Sequence, residues 1–531
     1  MTHVDERGDP ASAAPRVVRS ADATRVQIRG STLLLAGQVF ALAANLATQV
    51  LLVRYLSKMD YGAFAYGLSV VAIGETVAAL GLRRGVSQFM PMYEERGEQG
   101  KAAGLLIFSF GTVLGVGLAV MLLVIGLRGV IAGSLAGRTE AATLLAILIA
   151  LVPIHAIEYL LDAVYSVFAR PKAILARKYV YAPIMRLLVV GLLVLSGSGV
   201  TFVAVGYVTA GVLGIVVYAS LLVGVLSAQG LTRPIRSRRL TFPIREVLSY
   251  SLPLVTHDVS AVLLTSMGTI LLAAMRSASE VAQLRAVLPV ALTLTYVLGT
   301  FGVLFAPLAS RLRSRGAAEE LNQLYWQTAA WTGLFSLPVF LLGSLFAHQL
   351  TVFLFGVRYA DAADVLAVLV VGYVVTTFAG PNGMLLAVYG EVRFVVWTNI
   401  AAVVINVALS ALLIASAGAL GAAIAVSITY VLLNATWQIG LARRTDVRGF
   451  DRRYVRLYVL FAAVTVGLAA VQVLLSPPLA IAIVLVGAAW LGVLLGARRL
   501  LTLGETFAEL SRLPLLRRLV QADEARPGPT T

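Results

Sequence analysis

The chain has 531 residues, of which 59% are hydrophobic and only 13% charged, with a formal net charge of +16. Soluble domains carry roughly 25% charged residues, so the composition excludes a water-coated globule and with it a soluble enzyme. The absence of cysteine excludes disulfides, thiolate metal sites and a cysteine nucleophile, and the four histidines (His3, His155, His257, His348) are too scattered to spell a zinc motif.

Residues 1–29 are polar, rich in charge, alanine and proline, and lack the apolar stretch of a cleaved signal, which predicts a disordered cytoplasmic arm. Apolar runs of roughly 20 residues follow, the length a helix needs to cross a hydrocarbon core of about 30 Å. Charges, prolines and glycines cut them into fourteen candidate spans at about 31–53, 61–82, 103–127, 141–161, 179–196, 200–224, 247–274, 286–308, 326–347, 362–388, 393–416, 420–441, 456–475 and 479–496. The pattern predicts an all-α integral membrane protein. Its segments are an N-lobe of six spans over residues 30–226, a basic cytoplasmic linker at 227–246, a C-lobe of six spans over 247–442, two further spans within 443–497, and a cytoplasmic tail at 498–531. That tail alternates leucines with arginines, which suits a position along the inner membrane surface.

With the N-terminus placed in the cytoplasm, 34 of the 42 Lys and Arg fall on the cytoplasmic side, seven on the other side, and Arg186 within a span. The positive-inside rule therefore accounts for the basic excess without nucleic acid, and the basic stretch Thr232 to Arg239 carries no interleaved aromatics. The expected location is the cell membrane, with both termini cytoplasmic. All loops are short, so whatever the protein does happens within the bilayer.

The sequence also repeats. At an offset of 220, Leu192 to Gly199 (LLVLSGSG) aligns with Leu412 to Ala419 (LLIASAGA), each a span end, a small-residue turn and the start of the next span. At the same offset Gln38, Asn45 and Gln49 fall on Asp258, Thr265 and Thr269, so the first and seventh spans each carry a polar stripe on one helical face. Two six-span units that start on the same side are related by an axis along the membrane normal, with a central cleft between them. The stripes of spans 1 and 7 are expected to face that cleft, or else to form ordinary interhelical hydrogen bonds.

Several stretches give the chain a wider resemblance: Arg29 to Gln38 (RGSTLLLAGQ), Leu52 to Gly67 (LVRYLSKMDYGAFAYG), Gly81 to Gln88 (GLRRGVSQ), Gly356 to Leu366 (GVRYADAADVL), Asn406, and Gly418 to Ala425 (GALGAAIA). In these the chain resembles the polysaccharide and lipid-linked oligosaccharide flippases of the multidrug/oligosaccharidyl-lipid/polysaccharide exporter superfamily, over about residues 29–442. The resemblance implies a two-lobed bundle that alternates between inward-open and outward-open states. It implies a cargo too, an undecaprenyl-type diphosphate-linked glycan carried from the inner to the outer leaflet, without enzymatic chemistry. Some relatives carry an acidic residue farther along span 7, where this chain has Ser266, Met267, Gly268 and Thr269. A family cation mechanism is therefore not assumed.

An anionic diphosphate crossing a bilayer needs cationic or N–H partners in place of water. Arg186, well inside a predicted span, is the candidate to hold it. Arg83 and Arg84, at the cytoplasmic end of span 2, are candidates to capture it, with Gln38, Asn45 and Gln49 along the cleft; the alternatives are snorkelling, carboxylate pairing and plain topology. Glu75 and Asp258 sit near the midplane, where an unpaired charge costs several kcal/mol, and are candidates for coupling to sodium ions or protons. His155, Glu158 and Asp162 share one face of span 4 and read either as a proton or cation site or as an ion-pair cluster with Lys172, Arg177 and Lys178. Pro381, Asn382 and Gly383 interrupt span 10 as a hinge or a packing accommodation. Tyr55, Tyr61, Trp326 and Tyr359, near span ends, are expected to anchor the membrane interface.

No cofactor or metal is expected beyond a coupling ion. The expected partners are the lipid-linked glycan, membrane lipid, and a polysaccharide polymerase and glycosyltransferases that would make and use the cargo. The rival readings are a cation-coupled multidrug or small-solute antiporter of the same superfamily and, less well supported, a membrane enzyme, for which the outer loops offer little acid or base.

Overall fold

The computed structural model describes residues 20–127, 139–168, 170–228, 240–448 and 450–497, together with residues 129 and 231. Most of the N-terminal arm, the basic stretch of the linker and the whole C-terminal tail lie outside the described residues. Helix is already present from Ser20, inside the stretch expected to be a disordered arm.

Among the described residues, twelve helices are long and apolar enough to cross a membrane. A further span is the pair Ala318–Ser344 and Ala347–Phe355, bent by 80°. The 53-residue helix Val392–Arg444 contains two spans, because its backbone breaks at Gly418 (φ 54°, ψ −129°). The resulting fourteen spans agree with the sequence reading. They are Gly37–Tyr55, Lys58–Glu95, Gln99–Gly126, Ala141–Val167, Lys172–Ser196, Val200–Ser227, Ile244–Met275, Ala278–Ser314, the bent pair, Ala362–Val388, the two halves of Val392–Arg444, Arg452–Leu475 and Leu479–Ala497.

Three boundaries differ in ways that matter. Span 2 continues past a left-handed break at Leu80 and Gly81 (φ 45° and 65°), so Arg83 and Arg84 lie on helix rather than at its end. Span 5 begins at Lys172 instead of 179, taking in Arg177 and Lys178. Span 8 begins at Ala278 instead of 286, taking in Arg285. In both helices the added turns carry the charged residues that mark a span end in the sequence pattern.

The duplication has a structural counterpart. Ser57 caps span 2 by accepting from the Asp60 N–H at 3.1 Å, and Ser277, 220 residues on, caps span 8 by accepting from the Glu280 N–H at 3.3 Å. Both are N-caps with an acidic residue in the first turn, which satisfies orphan helix donors and complements the helix dipole. The hairpins between spans 5 and 6 and between spans 11 and 12 each turn on a glycine in the left-handed region, Gly197 (φ 66°) and Gly418 (φ 54°).

The lobes meet along span 2, which packs on spans 7 and 8. Small residues bring the backbones together there: Gly62 faces the carbonyl of Ala278, and Gly81 and Gly85 face Ser251 of span 7. Spans 13 and 14 pack against span 9, fixed by hydrogen bonds from Trp490 Nε1 to the Leu334 carbonyl (2.9 Å) and from Trp326 Nε1 to the Arg448 carbonyl (3.1 Å).

Candidate functional site

On the other side of the lobe interface a cleft runs between span 1 and span 8. Its inner part is a cavity of about 410 Å³ lined by Asn45, Gln49, Tyr61, His155, Glu158, Arg177, Arg186, Tyr207 and Arg285. An adjoining cavity of about 860 Å³ shares Asn45, His155, Glu158, Arg177 and Arg186 and reaches Gln38, Lys178, Thr300 and Val339. Since span 1 rises from the N-terminal face, Gln38 marks the end of the cleft nearer that face and Gln49 the far end.

The far end is closed by contacts between lobes. The Gln49 amide donates to the Tyr61 hydroxyl and, at 3.1 Å, to the Arg285 carbonyl, which also accepts from Tyr61 Oη at 3.1 Å. Beyond them Arg54 donates to the carbonyls of Phe353 and Leu354, and Arg358 returns a bond to the Val53 carbonyl. Tyr61 and Tyr359 are 3% and 0% exposed, and Trp326 is 4% exposed. Of the four residues expected to anchor the membrane interface, these three are packed inside the protein, because their span ends carry the inter-lobe and span 13 contacts.

Most charges in and around the cleft are matched. Arg177 pairs with Glu158, its guanidinium lying over the Tyr181 ring (4.9 Å). It is presented by a π-helical stretch, Leu175–Tyr181, and seated against Gly214, where a side chain would strike it. Lys178 lies 3.2 Å from Asp162, which also accepts from Tyr218 Oη at 2.9 Å. His155 Nδ1 lies 2.6 Å from Glu75 Oε2, with Tyr159 Oη donating to the other oxygen at 3.3 Å. Of the two sequence readings of the span 4 cluster, the geometry matches the ion-pair arrangement for Glu158 and Asp162.

Two arginines are left over. Among the described residues no carboxylate lies within 4 Å of Arg186 or Arg285. Arg186 approaches the Tyr207 ring at 6.0 Å. Arg285 lines the inner cavity from span 8, seven residues into that helix, at a position the sequence pattern places in a loop. The Ser277 to Glu280 capping box was the available signal that the helix starts earlier.

The remaining candidates are placed differently. Gln38, Asn45 and Gln49 line the cleft. Span 7's stripe does not face them, contrary to expectation: Thr265 bonds its own helix at the Ala261 and Val262 carbonyls, and Asp258 accepts from Arg84 at 2.6 Å, tying span 7 to span 2 across the lobes. The wall opposite span 1 is span 8 instead. Arg84 and Asp258 thus neutralise each other, and Arg83 is exposed and lines neither cavity. At Pro381, Asn382 and Gly383 the helix does break, after Gly380 (φ 71°). The freed carbonyls of Thr377, Phe378 and Ala379 are occupied by the hydroxyls of Thr332, Tyr458 and Tyr325 at 2.7, 2.9 and 2.6 Å. Asn382 bonds Asn434 at 3.2 Å. The break is held by its neighbours in this conformation.

No curated protein matches the chain in sequence. Among solved structures it is similar to one described as the lipid II flippase MurJ in an inward closed conformation (14% identity, TM-score 0.65, covering 89% of this chain and 99% of that one). It is similar also to an inward-facing MATE multidrug resistance transporter of the MOP superfamily (16% identity, TM-score 0.62, 76% and 94%). A third is a point mutant of the Vibrio cholerae MATE transporter VcmN (13% identity, TM-score 0.54, 80% and 98%). These likenesses establish a shared two-lobed helical fold. The family model for polysaccharide biosynthesis proteins matches residues 28–313, the segment that holds the first seven spans, nearly all of span 8 with Arg285, and nearly every polar group of the cleft; the chain belongs to that family.

Proposed function

We propose that the protein is a flippase that moves a polyprenyl-diphosphate-linked oligosaccharide from the inner to the outer leaflet of the cell membrane by alternating access. The observation that carries this reading is the pair of arginines without a carboxylate partner, Arg186 of span 5 and Arg285 of span 8, that line one cavity between the lobes. A guanidinium without a carboxylate partner inside a membrane-spanning bundle is costly unless an anion completes it, and guanidinium groups suit phosphate oxygens in geometry as well as charge. The glycan head group sits in the cleft, and the prenyl tail stays in lipid through the gap between spans 1 and 8. Membership in the polysaccharide biosynthesis family supports a glycan cargo.

The N-terminal face is the cytoplasmic one on this reading, as the positive-inside distribution requires, so a cleft closed at the Gln49 end stands ready to load from inside. The protein catalyses no bond change, and glycosyltransferases supply its cargo while a polymerase consumes it. A multidrug antiporter of the same fold is less well supported, since a cavity with surplus positive charge repels cationic drugs.

The test is translocation of a polyprenyl-diphosphate disaccharide in reconstituted vesicles. Arg186→Ala abolishes flipping while leaving membrane insertion intact; translocation at the wild-type rate would remove Arg186 from the mechanism.

A further inference from the structure

Building on that flippase reading, we infer that His155 and Glu75 form a proton-binding dyad, so that the diphosphate head group and a proton bind together. Two acceptor atoms 2.6 Å apart require a hydrogen between them, so with Glu75 ionised the imidazole carries its hydrogen on Nδ1 and donates it. Nε2 is then the basic atom. His155 lines both cavities and its side chain is 21% exposed, whereas Glu75 is 12% exposed and lines neither. The imidazole therefore stands between a shielded carboxylate and the space where the anion arrives.

The surrounding charges leave this dyad as the adjustable one. On span 4, Glu158 is matched by Arg177 of span 5, and Asp162 by Lys178. On the span 7 side Asp258 is matched by Arg84 of the span 2 continuation, and the Asn399 amide lies 3.5 Å from the neighbouring His257. Tyr61 and Tyr66 on span 2, Tyr159 beside Glu75, and Tyr207 and Tyr218 on span 6 stay neutral through the physiological range. Arg186 and Arg285 remain as fixed positive charges facing the cavity, and in the empty cleft they oppose a third. When a dianionic head group settles in the cavity it cancels the charge of the two arginines and leaves that of the Glu75 carboxylate unopposed. A proton then passes from cavity water to Nε2, giving imidazolium beside Glu75 carboxylate. Linkage makes the effect reciprocal, so lowering the pH tightens head-group binding.

The experiment uses full-length protein in detergent, titrated with undecaprenyl diphosphate in mixed micelles between pH 8 and 6, alongside His155→Asn and Glu75→Gln. The variants report the probe's own titration. Wild-type affinity should rise more steeply than theirs, by up to about tenfold per pH unit where one proton is taken up. In wild type alone, ring nitrogen-15 spectra of labelled histidine should show one of the four residues converting to imidazolium when the probe is added at pH 7.5. Parallel pH profiles with all four histidine signals unchanged overturn the dyad and leave the flippase reading standing. Absence of diphosphate binding at every pH overturns both.

Discussion

What separates Arg186 and Arg285 from the other basic residues that line the cleft is the company they keep. Arg177, Lys178 and Arg84 each have a carboxylate partner, so their charges cancel inside the protein, whereas Arg186 and Arg285 do not. The same contrast between matched and unmatched charge makes Asp451 a structural residue. It is 3% exposed, and accepts from Arg453 N and Nε at 3.0 Å and from Asn322 Nδ2 at 3.4 Å, in the loop that joins span 12 to span 13. The Arg453 guanidinium holds its carboxyl below the usual carboxylate range. A carboxyl whose value is lowered by folding stabilises the folded state above the unfolded value of about 4, and that contribution fades as the pH falls through the lowered value. Asp451→Asn is accordingly expected to destabilise the packing of spans 13 and 14 on span 9 by about 1–3 kcal/mol at pH 7. Thermal unfolding in detergent should show the difference from wild type shrinking below pH 4.

At the scale of helices, glycine positions decide how closely the lobes approach. A side chain at Gly62 would collide with the backbone carbonyl of Ala278, which no rotamer change relieves. Gly62→Ala is thus expected to part spans 2 and 8 at the end of the bundle where the cleft is closed. The native chain lacks cysteine, so spin labels at Lys58→Cys, at the start of span 2, and Val357→Cys, between spans 9 and 10, report the separation of the lobes at that end. The distance between them should lengthen in Gly62→Ala, and an unchanged distribution would show that the closed end tolerates the methyl. Helix existence was legible in the apolar runs, but helix ends were not. Charged residues read as loop markers at Arg177 and Arg285, where the physical cost of placing them in helix is met by a carboxylate in one case and by a polar cleft in the other. The π-helical stretch over Leu175–Tyr181, which presents Arg177 against Gly214, had no sequence signature.

For the molecule as a whole, the offset of 220 residues identified the two related halves but misplaced their meeting surface. The stripe of Gln38, Asn45 and Gln49 does face the cleft, while of the matching positions of span 7 Asp258 is turned to span 2 and Thr265 to its own helix. The duplicated units diverged in what their first spans do. A polar stripe signals a need for partners and does not name them, and only the packed arrangement distinguishes a cavity wall from an inter-lobe ion pair. The result is an asymmetric cleft: the N-lobe supplies Arg186 and the dyad, and the C-lobe supplies Arg285 from span 8.

The central claim is that this cleft is an anion site shaped for a lipid diphosphate. It is tested most directly by equilibrium binding of undecaprenyl diphosphate and of a lipophilic cation to the purified protein, with and without Arg186→Ala and Arg285→Ala combined. The diphosphate should bind wild type and lose about 100-fold or more in affinity in the double variant, two charge-assisted contacts of about 1.5–3 kcal/mol each being removed. Wild-type protein that takes up the cation and ignores the diphosphate would contradict it.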